Sequence, residues 1–147
     1  MLKILALDVA TKTGWCHEEE SGTWDFNPKR DESKGMRLVK FKAKVYDVIN
    51  GEDINLVVFE RTAGAHKNAL IVQAELHGVL KELCERLNVD YKAYSAGEIK
   101  KFATGNGKAT KHQMIQACID NYNEDPCDDN EADAIHLYFL AKRDYSS

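Results

Sequence analysis

The sequence predicts an α/β fold, a five-stranded mixed sheet flanked by helices, within one domain over residues 1–147. Two apolar runs, 2–8 and 54–60, have the length and composition of strands that are buried on both faces of a sheet. Elsewhere apolar residues recur at intervals of three and four positions, the period of an amphipathic helix. With 44% hydrophobic residues in 147, the chain can form one core of ordinary size.

The first three strands are predicted to form an antiparallel meander. They cover residues 2–8, 13–17 and 23–26, and a turn at Ser21 and Gly22 joins the second strand to the third. Short strands separated by polar and glycine-containing turns favour pairing between neighbours in sequence. This meander supplies the three antiparallel strands of the mixed sheet.

Two further strands each follow a predicted helix. A basic amphipathic helix over 30–50 precedes the strand at 54–60, and a long helix over 66–87 precedes a strand at 89–94. A strand that follows a crossover helix usually joins the sheet parallel to its neighbour. The two crossovers therefore complete a sheet with three antiparallel and two added strands.

The rest of the chain is predicted to be helical. Capping boxes at 95–98 and 110–113 mark the beginnings of a short helix and of a second helix that ends near Tyr122. Asp128 or Asp129 can cap a last helix that ends near residue 143.

Bulk properties exclude several classes of protein. No apolar run is long enough to span a membrane, and the N-terminus lacks a signal-peptide pattern, so we expect a cytoplasmic protein. The four cysteines form no C-x-x-C pair, which favours free thiols over a zinc site or a disulfide framework. They are Cys16, Cys84, Cys118 and Cys127.

The formal net charge is −4, but basic residues are concentrated in two strips, at 29–44 and 100–112. Such strips can bind nucleic acid in a chain whose net charge is negative. In the second strip Lys100 and Lys101 precede a glycine-containing loop, and Lys108 and Lys111 follow it. Lysines beside helix N-terminal amides can hold a phosphate, although solvated surface lysines are the simpler interpretation.

Acidic residues end the two apolar strands. Asp8 and Glu60 lie at the mouth of the predicted sheet, where an ionised carboxylate needs a partner. Asn130 and Asp133 are three residues apart on the last helix and share a face with each other. Oxygen ligands from several segments suit Mg²⁺ or Mn²⁺. Simpler interpretations are a turn cap for Asp8, an ion pair with Arg61 for Glu60, and a helix N-terminus that favours acidic residues.

Five segments together resemble the RuvC family of Holliday junction resolvases, which have the ribonuclease H-like fold. The short chain suits the phage-encoded branch of that family, which would place it in the host cytoplasm. The segments are LDVATKTGW at 7–15, VFER at 58–61, ELHGVL at 75–80, KKFATGNGKATK at 100–111 and ADAI at 132–135.

The resemblance implies two Mg²⁺ ions per active site, with Mn²⁺ as a substitute. The implied ligands are Asp8, which would bridge both ions, Glu60, Asn130 and Asp133. The family carries a carboxylate or histidine at the position of Asn130, so either Asn130 is a weaker, neutral ligand or Asp129 replaces it.

The resemblance also implies contacts with DNA. Lys100 and Lys111 match family lysines that contact DNA near the scissile phosphate, and Lys111 could stabilise the charge of the transition state. The family often carries an aromatic residue after the strand-end glutamate, which is missing here. Arg61, His66 or Lys67 would have to open the junction instead. The predicted DNA-binding residues are Lys100, Lys101, Lys108, Lys111, Arg61 and Lys67.

The resulting hypothesis is a homodimeric, Mg²⁺-dependent endonuclease that resolves four-way junctions by paired symmetric nicks. By resemblance the helix over 66–87 would form the twofold interface, although core packing explains its apolar residues equally well. A broader nuclease for flaps, forks and three-way branches stays open, as does a catalytically weak junction-binding module. The interface positions are Ala69, Leu70, Gln73, Leu76, His77 and Leu80.

Overall fold

A computed structural model describes residues 2–61 and 67–146, and it confirms the predicted five-stranded mixed sheet. The strand order across the sheet is β3-β2-β1-β4-β5. The first three strands pair antiparallel, and β4 and β5 are added parallel to β1. The strands are β1 (Ile4–Asp8), β2 (Lys12–His17), β3 (Glu20–Asp25), β4 (Leu56–Glu60) and β5 (Asp90–Tyr94).

Five helices flank this sheet in the described parts of the chain. Both predicted capping boxes are present, with Ser95 and Thr110 as the N-cap residues of the third and fourth helices. Asp128 caps the last helix, because its side chain accepts a hydrogen bond from the backbone N–H of Glu131. The helices are α1 (Met36–Gly51), α2 (Lys67–Leu87), α3 (Ala96–Thr104), α4 (Lys111–Tyr122) and α5 (Asp129–Tyr145).

The sheet separates two hydrophobic cores. Alternate residues of a strand point to opposite faces, so Ile4 and Ala6 of β1 pack with α3, α4 and α5, whereas Leu5 and Leu7 pack with α1 and α2. Val58 of β4 belongs to the α5 side. Both faces of β1 are covered, which explains its uninterrupted apolar sequence.

The prediction that α1 begins at residue 30 was wrong, because the helix begins at Met36. The carboxylate of Glu32 accepts hydrogen bonds from the backbone N–H of Lys29 at 2.7 Å and from Nζ of Lys40 at 2.8 Å. The backbone N–H of Glu32 donates to the carbonyl of Lys29 at 2.9 Å. These contacts hold the preceding residues in turns, so the helix begins about two helical turns after the start of the basic run.

Part of the predicted dimer interface on α2 lies inside the chain's own core. Leu76, His77 and Leu80 are buried, and the ring of His77 packs against Phe59 with 5.0 Å between ring centroids. These three residues are therefore unavailable to a partner. The outward positions of α2 are others, and they include Ile71, which is 50% exposed.

The cysteines of the described residues are free, as predicted. Cys16, Cys84 and Cys118 are buried, and Cys127 is exposed. Over the same ranges of the chain, no helix combines the length and apolar character that crossing a membrane requires.

Candidate functional site

Asp8 and Glu60 lie side by side at the carboxyl edge of the sheet. Strands β1 and β4 are parallel with Leu7 opposite Phe59, so the next residue of each strand forms the next pair. Adjacent strands lie about 4.8 Å apart, and side chains at the same register position point to the same face. Because Ala6 and Val58 belong to the α5 side, the two carboxylates point there as well.

Helix α5 packs closely against this edge of the sheet at a glycine of β2. Gly14 of β2 is the register partner of Asp8, and a Cβ atom there would lie 1.9 Å from the backbone carbonyl oxygen of Asn130. Only glycine permits this contact between the first turn of α5 and the sheet. The contact places Asn130 directly above the strand beside Asp8, with Asp133 one turn further along the helix.

The pKa values of the acidic residues show that they share one electrostatic environment. Burial raises the pKa of Asp8 well above its usual range, and the charges of Asp133 and Glu60 raise it further. Burial, followed by Glu60 and Asp129, raises the pKa of Asp133 to about 7. Burial also raises the pKa of Glu60, while Lys100 acts against it. The structure therefore brings together three of the predicted ligands, which repel one another when they are ionised.

Two lysines reach this acidic group. The charge of Lys100 lowers the pKa of both Glu60 and Asp133, and that of Lys111 lowers the pKa of Asp133. Nζ of Lys111 also lies 3.6 Å from Oδ2 of Asp129. Asp129, the alternative to Asn130, thus faces a lysine as well as the acidic group, and both residues stay open as a fourth ligand.

The other predicted DNA-binding residues are exposed wherever the structure describes them. Lys101 is exposed on the last turn of α3, and Lys108 is exposed in the loop before α4. Arg61 is exposed directly after β4, and its backbone N–H donates to the carbonyl of Tyr94 at 2.7 Å. Lys67 is exposed at the beginning of α2, whereas His66 lies outside the described residues.

The oxygen ligands at this edge are of the type that a hard divalent cation prefers, but their described positions do not form a complete metal site. Among residues 2–61 and 67–146, no three side chains of His, Cys, Asp or Glu are placed to hold one metal ion. Asp8, Glu60 and Asp133 nevertheless supply carboxylate oxygens, and a cation between them would relieve the repulsion that raises their pKa values. The predicted ligand set stays a prediction.

The arrangement of strands and helices matches solved structures along nearly the whole chain. RuvC of T. thermophilus, solved in complex with a Holliday junction substrate, superposes with a TM-score of 0.78 at 17% identity. The match covers 98% of this chain and 97% of that one. The chain has the RuvC fold. The yeast mitochondrial Holliday junction resolvase Ydc2 shares this RuvC fold, with a TM-score of 0.65, 13% identity and coverage of 93% and 76%.

Sequence similarity supports the same relationship. The chain is 30% identical over 84 residues to the crossover junction endodeoxyribonuclease RuvC of Ehrlichia canis (strain Jake). This match covers 56% of the chain and spans about half the length of the curated relative, 54%. No protein-family model matches the sequence. The predicted resemblance to the RuvC family is therefore confirmed by sequence and by fold.

Sequence reasoning missed the residues that attach α5 to the rest of the RuvC fold. Nζ of Lys12 lies 3.2 Å from Oδ2 of Asp128, the N-cap residue of α5. Glu131 accepts a hydrogen bond from the hydroxyl of Ser21 at 2.6 Å. Gly14 could have been found, because a glycine inside a strand often marks a close backbone approach. The hydrogen bond between Ser21 and Glu131 joins residues 110 positions apart, so no local sequence pattern predicts it.

Without metal, the protein is expected to lose stability as the pH rises toward 7. Asp133 keeps its proton to about pH 7 when folded but releases it near its ordinary value of 3.8 when unfolded. The folded state therefore binds more protons in this window, so the free energy of unfolding falls as the pH rises through it. For Asp133 alone the change is on the order of 4 kcal/mol.

Urea unfolding between pH 5 and 8 in a chelator checks this, with Asp133→Asn as the comparison. The comparison is necessary because the pKa of His77, lowered by burial to about 4, makes stability rise with pH below its ordinary value of 6.5. Wild type should lose stability relative to the variant as the pH rises, and Mg²⁺ should reduce the loss. Parallel pH profiles of the two proteins would contradict the assignment.

Proposed function

We propose that the chain is a divalent-metal-dependent endonuclease that resolves four-way DNA junctions. One observation carries the proposal: Asp8, Glu60 and Asp133 share a buried acidic site at the carboxyl edge of a RuvC fold. Buried acidic residues that raise one another's pKa values lower the stability of the fold. Such clusters are typical of catalytic and binding sites. The proteins that share this fold include resolvases.

Each residue would have a distinct role in phosphodiester hydrolysis. Asp8, between the strands that carry Glu60 and Gly14, would hold the Mg²⁺ ions together with Glu60 and Asp133. The chemistry supplied by such ions would be a lower pKa for an attacking water and stabilisation of the leaving 3′ oxygen. Asn130 would contribute a neutral oxygen. Lys111, whose side chain is 82% exposed beside the acidic group, would stabilise the charge on the phosphate.

The lysines next to the site would bind the DNA backbone. T. thermophilus RuvC, which has the same fold, has been solved in complex with a Holliday junction substrate. In this chain the edge that carries the acidic residues would face the DNA. The charges of Lys100 and Lys111 act on the acidic residues, and the exposed side chains of Lys101, Lys108, Arg61 and Lys67 would add further phosphate contacts. Such contacts with phosphates carry little sequence information.

Binding to a junction should therefore weaken steeply with salt. The logarithm of the binding constant falls with the logarithm of the salt concentration. Removing one lysine that binds a phosphate makes this slope less steep by about 0.9. Lys101→Ala and Lys108→Ala should each make the slope less steep by about this amount. Lys3→Ala, at the opposite end of β1, is the matched control. Fluorescence anisotropy from 50 to 300 mM salt measures this, and equal slopes for all three variants would contradict the placement of the DNA.

Two active sites related by a twofold axis would make paired symmetric nicks, which requires a homodimer. Helices α1 and α2 cover the sheet face opposite the acidic site and expose large apolar side chains. Val39 is 58% exposed, Ile71 50% and Tyr46 45%. We propose this face, in place of the buried α2 residues, as the dimer interface. Ile71→Glu should yield a monomer by analytical ultracentrifugation, whereas a dimer of unchanged affinity would exclude this face.

Cleavage of labelled synthetic substrates in Mg²⁺ tests the function itself. Symmetric paired nicks in a four-way junction, with forks, flaps and plain duplex cut far more slowly, are the expected result. Equal cutting of junctions, forks and flaps would favour the broader branched-DNA nuclease. Tight junction binding without nicks in Mg²⁺ or Mn²⁺ would instead favour a junction-binding module, which the neutral Asn130 would explain.

A further inference from the structure

Glu131 connects three segments of the chain beside the acidic site. It lies on the first turn of α5, and one carboxylate oxygen accepts a hydrogen bond from the hydroxyl of Ser21 on β3 at 2.6 Å. The other oxygen accepts from the backbone N–H of Cys127 at 2.8 Å. The backbone N–H of Glu131 donates to Oδ1 of Asp128 at 2.9 Å. The β2–β3 hairpin, the loop before α5 and the helix therefore meet at one side chain.

This arrangement keeps a charged group where burial opposes it. Glu131 is only 9% exposed. Burial alone would raise its pKa, but the hydrogen bonds from Cys127 and Ser21 outweigh burial and lower the pKa instead. A buried carboxylate with both oxygens hydrogen-bonded forms a strong, directional attachment. The first turn of α5 is therefore held in one position against the hairpin.

The same hairpin carries the contact that adjoins Asp8. Gly14 of β2 pairs with Asp8 and lies against the carbonyl of Asn130, the residue before Glu131. On the helix, Asp133 follows Glu131 by two residues. A shift of this turn would therefore move Asn130 and Asp133 relative to Asp8. Small displacements of this kind are known to reduce catalysis strongly.

We infer that Glu131 is a positioning residue, which holds the first turn of α5 on the β2–β3 hairpin so that Asp133 stays aligned with Asp8. In this role Glu131 acts through the backbone of α5 and not by binding substrate or metal itself. The inference rests on the proposed nuclease function, since that function defines what the alignment serves.

Three variants distinguish the effect of the Glu131 hydrogen bonds on the position of α5 from the effect of the Glu131 negative charge. Glu131→Ala removes both side-chain hydrogen bonds, whereas Ser21→Ala removes one of them. Glu131→Gln can keep both, because its carbonyl can accept from Cys127 and its amide can donate to the Ser21 hydroxyl. Wild type and the three variants are compared by kcat and KM on a four-way junction, by the Mg²⁺ concentration for half-maximal rate, and by junction binding in a chelator.

Glu131→Ala should lower kcat at least about tenfold and raise the Mg²⁺ requirement, with KM and metal-free junction binding unchanged. Ser21→Ala should show a smaller loss in the same two parameters, and Glu131→Gln should retain most of the wild-type rate. A Glu131→Gln variant as impaired as Glu131→Ala would overturn the inference, because charge would then matter more than the contacts. So would wild-type kcat in Glu131→Ala.

Amide hydrogen exchange gives a readout that is independent of cleavage. In Glu131→Ala, the amides of residues 131–133 should exchange faster than in wild type, while those of β1 and β4 keep their protection. Glu131→Gln should resemble wild type. Faster exchange throughout the chain would mean general destabilisation and would overturn local positioning. If Glu131→Ala does not fold, Ser21→Ala is decisive, and unchanged exchange in it overturns the inference. A wild type that cuts no junction refutes the proposed function, whereas the exchange result still tests the attachment.

Discussion

Replacing Asp8 with Asn is expected to lower junction cleavage about a thousandfold while junction binding persists. Asp8 lies between the two strands that carry Glu60 and Gly14, and it is 7% exposed. The asparagine keeps the shape but loses the negative charge that would bind both metal ions. Losing a shared ligand removes several kcal/mol of transition-state stabilisation, which corresponds to the expected factor.

The same variant should be more stable than wild type when metal is absent, because one member of a mutually repelling acidic group becomes neutral. Cleavage rates, anisotropy in a chelator and the urea midpoint measure the three effects. Asp90→Asn, at the exposed beginning of β5, is the matched control and should behave as wild type does. Equal cleavage by wild type and Asp8→Asn would remove Asp8 from the mechanism and refute the proposed site.

Gly14→Ala should destabilise the fold by roughly 3 kcal/mol and lower cleavage about a hundredfold in the molecules that remain folded. The new methyl group would lie 1.9 Å from the carbonyl oxygen of Asn130 and 2.3 Å from the carbonyl carbon. Both atoms belong to the helix backbone, so the first turn of α5 has to move away from the sheet. That movement would separate Asp133 from Asp8.

Gly97→Ala is the control for the glycine substitution, since its Cβ atom would meet no described residue except Ser95, whose Oγ would lie 4.0 Å away. Thermal unfolding measures the change in stability. Single-turnover cleavage at a temperature where both variants are folded measures the change in rate. A Gly14→Ala protein with the stability and the rate of Gly97→Ala would show that α5 does not depend on this contact.

The sheet was predictable because its signals are local. The runs that end at Asp8 and Glu60 are apolar at consecutive positions, and this pattern indicates a strand covered on both faces. The capping boxes at Ser95 and Thr110 have a fixed spacing and a defined hydrogen-bond pattern, and both are present as predicted. The order of strands and crossover helices then left few topologies, which agrees with the observed sheet.

The inaccurate predictions depend on side-chain contacts and burial that the spacing of apolar residues does not reveal. The start of α1 depends on Glu32, whose carboxylate binds Lys29 and Lys40 and holds a turn that helical periodicity does not register. On α2, Leu76 and Leu80 are buried against the sheet, yet periodicity alone cannot tell a core face from an interface face. The residues of the acidic site could be named from strand ends and resemblance, but their attachment through Glu131 could not.

The alternation of side chains along β1 limits how the length of the chain can vary. Ala6 and Asp8 point to the α5 side of the sheet, and Leu5 and Leu7 point to the side of α1 and α2. Inserting or deleting one residue within β1 would turn Asp8 into the apolar layer and bring a leucine to the acidic site. A similar change in the loop before Met36 would leave both layers intact. Homologous sequences should therefore differ in length between the strands while β1 and β4 keep theirs.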